Sequence, residues 1–594
     1  MPLRRYLRDG WDQFSRDLRR DRYLQGILLL AAFLGGFWFW HRIPNFATRD
    51  EFSRILDALM PYATFLDDPS LESIREGIVW GRVPFGATTA LYGLLLLPVV
   101  AAAVLGGQGE VIAALAFPDP EFGFYPAWHT TPAWIWTWAI SLVRLSNVAF
   151  AVGCVYLTYR LGADLAGRRT GRLGALFLTL TFGFLTIAHE GGEDMPATFF
   201  LLLALVLLGR YVRGGEARHF LAASAVGGLA IGFKLTAVPV IGLIAVAHLL
   251  RIRRQGEFSL EGLRPGLVVA GATTGLLVVF LSFPTTLVGR LDLVVYRIFG
   301  GSLSRISHPT GPDAHVIWWF LRGYLSGLGL GLFVASVLGV LASAKRLLHR
   351  PDGNEIGILL MTGLMAYLAL FSQWHDFRVH HLLGTMPLIA VLLAWSVDRF
   401  LDRSPSIARP ALAVLLLSTA AYAGVGVATY ADMPRDQAVS WLERNADPNA
   451  TLEVYRRHFQ DTAVPHSMTV IHAYGPEGPE ERLPPCPTYV QLGYRDLLYL
   501  NEGTYYRNGA TRAAYVRSLL NGEAGYEIVA EFGPRPPNFV PQRPTPNSVL
   551  ELIRLGIVPH TDQYADEQEL AANQYTVILK RTESCGPSNP PPPF

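Results

Sequence analysis

Charge is what this chain has least of. Asp, Glu, Lys and Arg make up 16% of its 594 residues, against about 25% in soluble domains. A formal net charge of +2 gives no overall field to attract a polyanion, and no nucleic-acid partner is expected. Lysine is nearly missing, with only Lys234, Lys345 and Lys580, so arginine supplies the basic charge. Cysteine is equally scarce, which excludes a disulfide framework. Cys154 lies in an apolar stretch as an inert thiol, and Cys486 and Cys585 allow one bridge at most. No small-residue cleavage site ends the first apolar run, so that run reads as a retained span rather than a removed leader. No internal repeat is evident.

What the chain does have is hydrophobic length. Apolar residues form 51% of the sequence, in stretches that recur from residue 23 to about 428 and then stop. A helix needs roughly 20 apolar residues to cross the hydrocarbon core. Eleven crossings are placed near 23–40, 133–159, 171–188, 196–212, 219–232, 236–250, 266–284, 317–342, 356–372, 382–399 and 410–428. Arginines gather in every second connection: Arg160 to Arg172, Arg210 to Arg218, Arg251 to Arg254, Arg346 and Arg350, then Arg399 to Arg409. The positive-inside bias puts those connections in the cytoplasm. A cytoplasmic leader, 1–22, is then followed by a transmembrane part, 23–428, with its first outer loop at 41–132. The remainder, 430–594, lies outside as a small α/β domain ending in a proline-rich tail.

Ala87 to Gly107 is also long enough to cross, yet one further crossing would reverse every later loop. Gln108 to Pro132 holds no Lys or Arg and reads as external. Pro98 and Gly106-Gly107 offer bends, so a re-entrant or surface-lying hairpin, or a paired extra crossing, is expected. In the outer domain, Asp436 to Arg444 and Ala513 to Leu520 have helical spacing. Met468 to His472, Tyr489 to Gln491, Tyr526 to Glu531 and Tyr575 to Leu579 read as short strands.

The residue types able to do chemistry sit on the outer side. Asp50 and Glu51 follow the first span; the plain alternative is an acidic pair favoured by a helix N-terminus. Glu190, Glu193 and Asp194 lie between the third and fourth spans, where Asp194 could instead cap the helix opened by Pro196. Lys234 is the one lysine within the membrane part's outer turns, and ionisable residues there usually have a task. Gln373 to His381 forms a short outer turn holding His375 and Arg378, and arginine suits a phosphate through paired hydrogen bonds. Carboxylates for proton removal and cations for a departing phosphate thus share one face.

Several motifs, taken in order and by side, resemble the GT-C superfamily of glycosyltransferases, which use polyprenyl-phosphate sugars. They are Arg49-Asp50-Glu51, Trp128-His129-Thr130-Thr131-Pro132, Arg144-Leu145-Ser146-Asn147, Gly228 to Thr236, Phe377-Arg378 through Pro387, and Arg435 to Leu442. The likeness is to protein O-mannosyltransferases and aminoarabinose transferases. Trp318-Trp319 begins a span rather than an outer-domain signature, which argues against an oligosaccharyltransferase. The resemblance implies inverting transfer of a sugar to a hydroxyl on a protein, glycan or lipid, with Asp50 as base and Glu51 beside it. It implies that Lys234, Arg378 and Arg144 hold the donor phosphate. Glu190, Glu193, Asp194, His129 and His375 would orient acceptor or donor. A divalent cation, Mg or Mn, is an open alternative at Asp50, Glu193 and Asp194. The competing reading is a lipid or glycan flippase without transfer chemistry.

Overall fold

The structure is a computed structural model describing residues 2–80, 86–118, 124–256, 262–307, 314–374, 378–455, 459–472, 487–501, 509–541, 545–559 and 575–582. His375, Cys486, Cys585 and the proline tail lie outside the described residues. The helices in chain order begin with α1 (Pro2–Arg20), α2 (Arg22–Gly36), α3 (Arg49–Asp67), α4 (Leu71–Trp80), α5 (Gly86–Leu105), α6 (Gly109–Ala113) and α7 (Phe124–Thr130). Next are α8 (Ala133–Ala166), α9 (Arg168–Thr179), α10 (Phe182–Ala188), α11 (Asp194–Gly214), α12 (Ala217–Phe233), α13 (Pro239–Gln255) and α14 (Pro265–Leu281). They continue through α15 (Pro284–Leu287), α16 (Leu291–Ser307), α17 (Val316–His349), α18 (Glu355–Phe371), α19 (Met386–Arg403) and α20 (Pro405–Ala428). The C-terminal part adds α21 (Pro434–Asn445), α22 (Tyr494–Leu497), α23 (Gly509–Leu520) and α24 (Val549–Ile557).

Each of the eleven expected crossings coincides with helix: α2, α8, the pair α9–α10, α11 to α14, and α17 to α20. This is a multi-pass helical membrane protein. The pair α9–α10 bends by 66° at Leu180-Thr181. Lys234 sits at the break between α12 and α13, as their short lengths require. One rim of the bundle, carrying Asp50, Lys234 and the C-terminal part, is called the domain-bearing rim below; the other is the arginine-rich rim.

The hairpin expected within Ala87–Gly107 is replaced by one unbroken helix, α5, which runs through Pro98. Its length and composition would allow a crossing, and three contacts fix its neighbours. At its start, a Cβ on Gly86 would collide with the carbonyl of Gly232, beside Lys234. Near its middle the Tyr92 hydroxyl donates to Gly192 O at 3.1 Å. Just beyond its end, Trp134 Nε1 donates to Gln108 Oε1 at 3.1 Å, at the first turn of α8. Its start therefore meets the end of α12 and the residues just past its end meet the first turn of α8. Leu94, Leu97 and Leu105 stay exposed on it, apolar surface that suits contact with lipid.

The C-terminal part holds a five-stranded sheet ordered β2-β1-β3-β5-β4. Its strands are β1 (Thr451–Val454), β2 (Thr469–His472), β3 (Tyr489–Leu492), β4 (Tyr526–Phe532) and β5 (Thr576–Arg581). The first three pair in parallel and the last two antiparallel. Strand β1 has no counterpart among the sequence-based strands.

The first loop and the sheet share one core. Phe46, Phe52, Trp128 and Trp136 pack with Leu452, Val454, Phe459 and Val464. Truncating a fully buried Trp to Ala in such a core costs about 3–5 kcal/mol. Polar contacts fix the register: Arg42 donates to Phe459 O at 2.7 Å and Asn45 to Val464 O at 2.9 Å. At the far side, the Tyr422 hydroxyl lies 2.9 Å from both Ser326 O and Leu555 O, tying α17, α20 and α24 together.

Candidate functional site at the domain-bearing rim

Helix α3 begins with Thr48, whose hydroxyl accepts from Glu51 N at 3.0 Å. Glu51 in turn accepts from Ala47 N at 2.9 Å. The Thr48-x-x-Glu51 spacing is that of a capping box, a local signal that fixes where Asp50 and Glu51 stand. From this start the two adjacent carboxylates diverge. Glu51 turns inward and is fully buried, while the Asp50 side chain keeps 28% of its surface.

Glu51 meets Arg144 of α8 in a two-pronged pair, Nε to Oε1 at 2.7 Å and Nη2 to Oε2 at 2.8 Å. Neither side chain has any exposed surface. Glu51 Oε1 also accepts from Gly191 N at 3.0 Å, and a Cβ on Gly191 would stand 3.0 Å from Glu51 Cγ. A side chain there would push the loop off the carboxylate. The remaining Arg144 nitrogen, Nη1, donates to Phe39 O and His41 O at 2.7 and 2.6 Å. Every nitrogen of Arg144 is thus engaged in holding α3, α8 and the 189–193 loop together. The phosphate role expected for Arg144, and a reactive role for Glu51, give way to a structural one.

A second line of charge runs outward from Asp50. Arg54, one turn along α3, lies 3.5 Å from Asp50 and grips Glu193 with two bonds of 2.8 and 2.9 Å. Lys234 lies 3.9 Å from Glu193 and pairs directly with Asp194. Burial alone would raise the Glu193 carboxyl, but Arg54 and Lys234 hold it below the usual carboxylate range. Burial alone would loosen the Arg54 proton, but the carboxylates of Glu193 and Asp50 keep Arg54 more firmly protonated than an ordinary arginine. Asp194, expected as a possible helix cap, is instead the first residue of α11, and its carboxylate faces Lys234. Arg54 is absent from the expected residues, although its i,i+4 spacing from Asp50 was a readable sign.

Glu190 stands between these two lines. Its main-chain carbonyl accepts from Asn147. Among the described residues no hydrogen bond or ion pair reaches its carboxylate. Burial, and then the nearby charge of Glu51, push it well above the usual range.

Lys234 and Asp194 also line a narrow cleft with Tyr367, His380 and His381. Its volume of about 10 Å³ holds roughly one water. Arg378 stands two residues before His380, where its main-chain N donates to His381 Nδ1 at 2.9 Å. The structure thus brings Asp50, Glu193, Asp194 and Lys234 into one line of contacts, with Arg378 joined through its main chain to His381, which lines the adjoining cleft. His129 is elsewhere. Its Nδ1 is 2.7 Å from His466 O, at the seam between the first loop and the sheet, so it serves that seam rather than an acceptor. Among the described residues no three His, Cys, Asp or Glu groups form a metal-binding set. Glu193 and Asp194 already face Arg54 and Lys234, so the expected cation set does not fit.

Residues 134–282 match the family model described as dolichyl-phosphate-mannose-protein mannosyltransferase. No curated protein matches the chain. Among solved structures, ArnT from Cupriavidus metallidurans bound to undecaprenyl phosphate is similar at 12% identity, covering 95% of this chain and 98% of that one, with a TM-score of 0.46. The oligosaccharyltransferase AglB from Archaeoglobus fulgidus, in complex with an inhibitory peptide and a dolichol-phosphate, shares 13% identity over 85% of this chain and 69% of that one, with a TM-score of 0.43. Arabinosyltransferase EmbB from Mycobacterium smegmatis covers 63% of this chain and 30% of its own at 13% identity, with a TM-score of 0.37. The family match bears out the resemblance to GT-C glycosyltransferases, and it spans α8 to α14, which supply Arg144, Glu193, Asp194 and Lys234.

Proposed function

We propose that this chain, which carries a mannosyltransferase-type domain over residues 134–282, transfers a sugar from a polyprenyl-phosphate donor to an acceptor hydroxyl at the domain-bearing rim. The arginine bias makes that rim the extracytoplasmic one, with the N-terminus in the cytoplasm and residues 430–594 outside. One observation carries the reading. Asp50 and Lys234, far apart in the chain, are joined through Arg54 and Glu193 in a single buried line of charge.

Asp50 acts as general base, since it is the accessible member of the pair and Glu51 is closed off by Arg144. It removes the acceptor proton as the oxygen attacks the anomeric carbon from the face opposite the phosphate, inverting that centre. Lys234 and Arg378 receive the departing phosphate, whose charge grows as the glycosidic bond breaks. Asp194 occupies Lys234 before the donor arrives and yields it to the phosphate. Arg54 and Glu193 fix the spacing of base and cation. Glu190, with no partner of its own, orients a hydroxyl of acceptor or donor. Arg54 and Lys234 compensate the carboxylates directly, so no step runs through a metal.

The test uses purified enzyme, a polyprenyl-phosphate sugar and its acceptor. Asp50→Asn should lower turnover by about 10²–10⁴-fold at unchanged melting temperature. Turnover near that of the wild type would remove Asp50 from the base role. Lipid movement without product would establish the flippase reading instead.

A further inference from the structure

A much larger cavity lies away from this site, at the arginine-rich rim between α17, α19 and α20. Its volume is about 880 Å³, within the roughly 300–1,000 Å³ range of small-ligand sites. One wall is apolar, including Val334, Leu338, Leu412 and Leu415. Val334 and Leu338 are exposed, and both lie on a membrane-spanning helix, so this wall opens sideways to lipid. The other wall gathers Lys345, Arg346, His349 and Arg350 from the end of α17 with Arg399 and Arg403 from the end of α19.

None of the five Lys and Arg side chains in that group has an acidic partner among the described residues. The acids that could have served them are taken. Arg169 holds both Asp398 and Asp402 of α19. In the connection after α17, Arg253 takes Asp352 and Arg254 takes Glu355. Arg346 is held in place by its guanidinium, which lies 4.6 Å over the ring centre of Trp395. Other arginines of this rim, such as Arg168, also have no acidic partner among the described residues, but Arg168 does not line this cavity. Converging cations beside an apolar wall open to lipid need a ligand with an anionic head and a hydrocarbon body.

We propose that this cavity binds an anionic glycerophospholipid of the leaflet at the arginine-rich rim. Its phosphate sits among Arg346, Arg399 and Arg403, with its acyl chains along the α17–α20 wall. A phosphate near the ends of three helices screens a repulsion that would otherwise splay them. The site is separate from the transfer chemistry and stands whether or not the proposed reaction does.

The full chain in detergent is tested by mass spectrometry of retained lipid, after equilibration with phosphatidylglycerol or phosphatidylcholine. The wild type should prefer phosphatidylglycerol by on the order of tenfold. The triple variant Arg346→Gln/Arg399→Gln/Arg403→Gln should lose that preference, while Arg168→Gln keeps it. A phosphatidylglycerol with a photoreactive acyl chain should label peptides of α17 and α20. Equal retention of the two lipids would overturn the proposal. So would equal loss in Arg168→Gln, labelling elsewhere, displacement of the lipid by inorganic phosphate alone, or preferential retention of polyprenyl phosphate.

Discussion

Ion pairs at the two rims of the helical bundle range from fully enclosed to openly solvated, and the extremes behave in opposite ways. At the domain-bearing rim the pairs are buried: Arg144 with Glu51 has no exposed surface, and Arg54 with Glu193 has 5% and 7%. At the arginine-rich rim Arg253 and Asp352 are 50% and 87% exposed. A buried charge cannot lose its partner without leaving an uncompensated ion in a poorly polarisable surrounding, whereas water replaces the partner of an exposed one. Pairing in Arg144–Glu51 and Arg54–Glu193 therefore fixes geometry, whereas pairing in Arg253–Asp352 mostly disposes of charge. The cations beside the large cavity differ from both kinds, having no acidic partner among the described residues.

Four substitutions sharpen or break this contrast. The largest effect is expected from Arg144→Leu, which leaves Glu51 buried and unpaired and should cost about 3–5 kcal/mol. Thermal unfolding measures it, and Glu51→Leu added to the same chain should recover part of the loss. A smaller effect follows from Arg42→Ala, which removes the bonds to Phe459 O and Thr462 O and the 3.7 Å pair with Asp436. The loss is about 1–3 kcal/mol, and hydrogen exchange should rise first around 459–464.

Glu190 tests charge without a partner. Its carboxyl is raised when folded, so its contribution to stability is complete below the ordinary value near 4.5 and is lost as pH rises through the raised value. Glu190→Gln removes that loss. The melting temperature of the variant relative to wild type should therefore climb between pH 5 and pH 8, and a flat difference would show that the side chain is solvated. The smallest effect belongs to Arg253→Ala at the other rim, expected below about 1 kcal/mol. A loss as large as that of Arg144→Leu would break the comparison altogether.

Much of the architecture was legible because it rests on local properties. A run of apolar residues long enough to cross a bilayer is visible wherever it falls, and arginine placement orders the runs by side. That is why the helices behind the expected crossings, the break at Lys234 and four of the five strands were within reach. Helix α5 was expected to bend at Pro98 and instead runs through it. Its composition is that of a span, and only the Gly86, Tyr92 and Gln108 contacts show which helices it packs against. The site was legible as a set of residue types on one face and no further. Arg144 and Lys234 both read as cations for a phosphate, yet the fold encloses one and leaves the other at a cleft.

Composition and the order of apolar runs determined by themselves that this chain spans a membrane many times and gathers carboxylates and cations at one rim. Each is a sum over neighbouring residues and needs no knowledge of what they touch. Only the folded chain decided that Glu51 is enclosed by Arg144 while Asp50 stays open, and that Arg54 and Glu193 bridge Asp50 to Lys234. Whether a charge reacts or merely holds depends on which distant group lies within about 3 Å and on how much water remains. Neither quantity is carried by any one stretch of sequence.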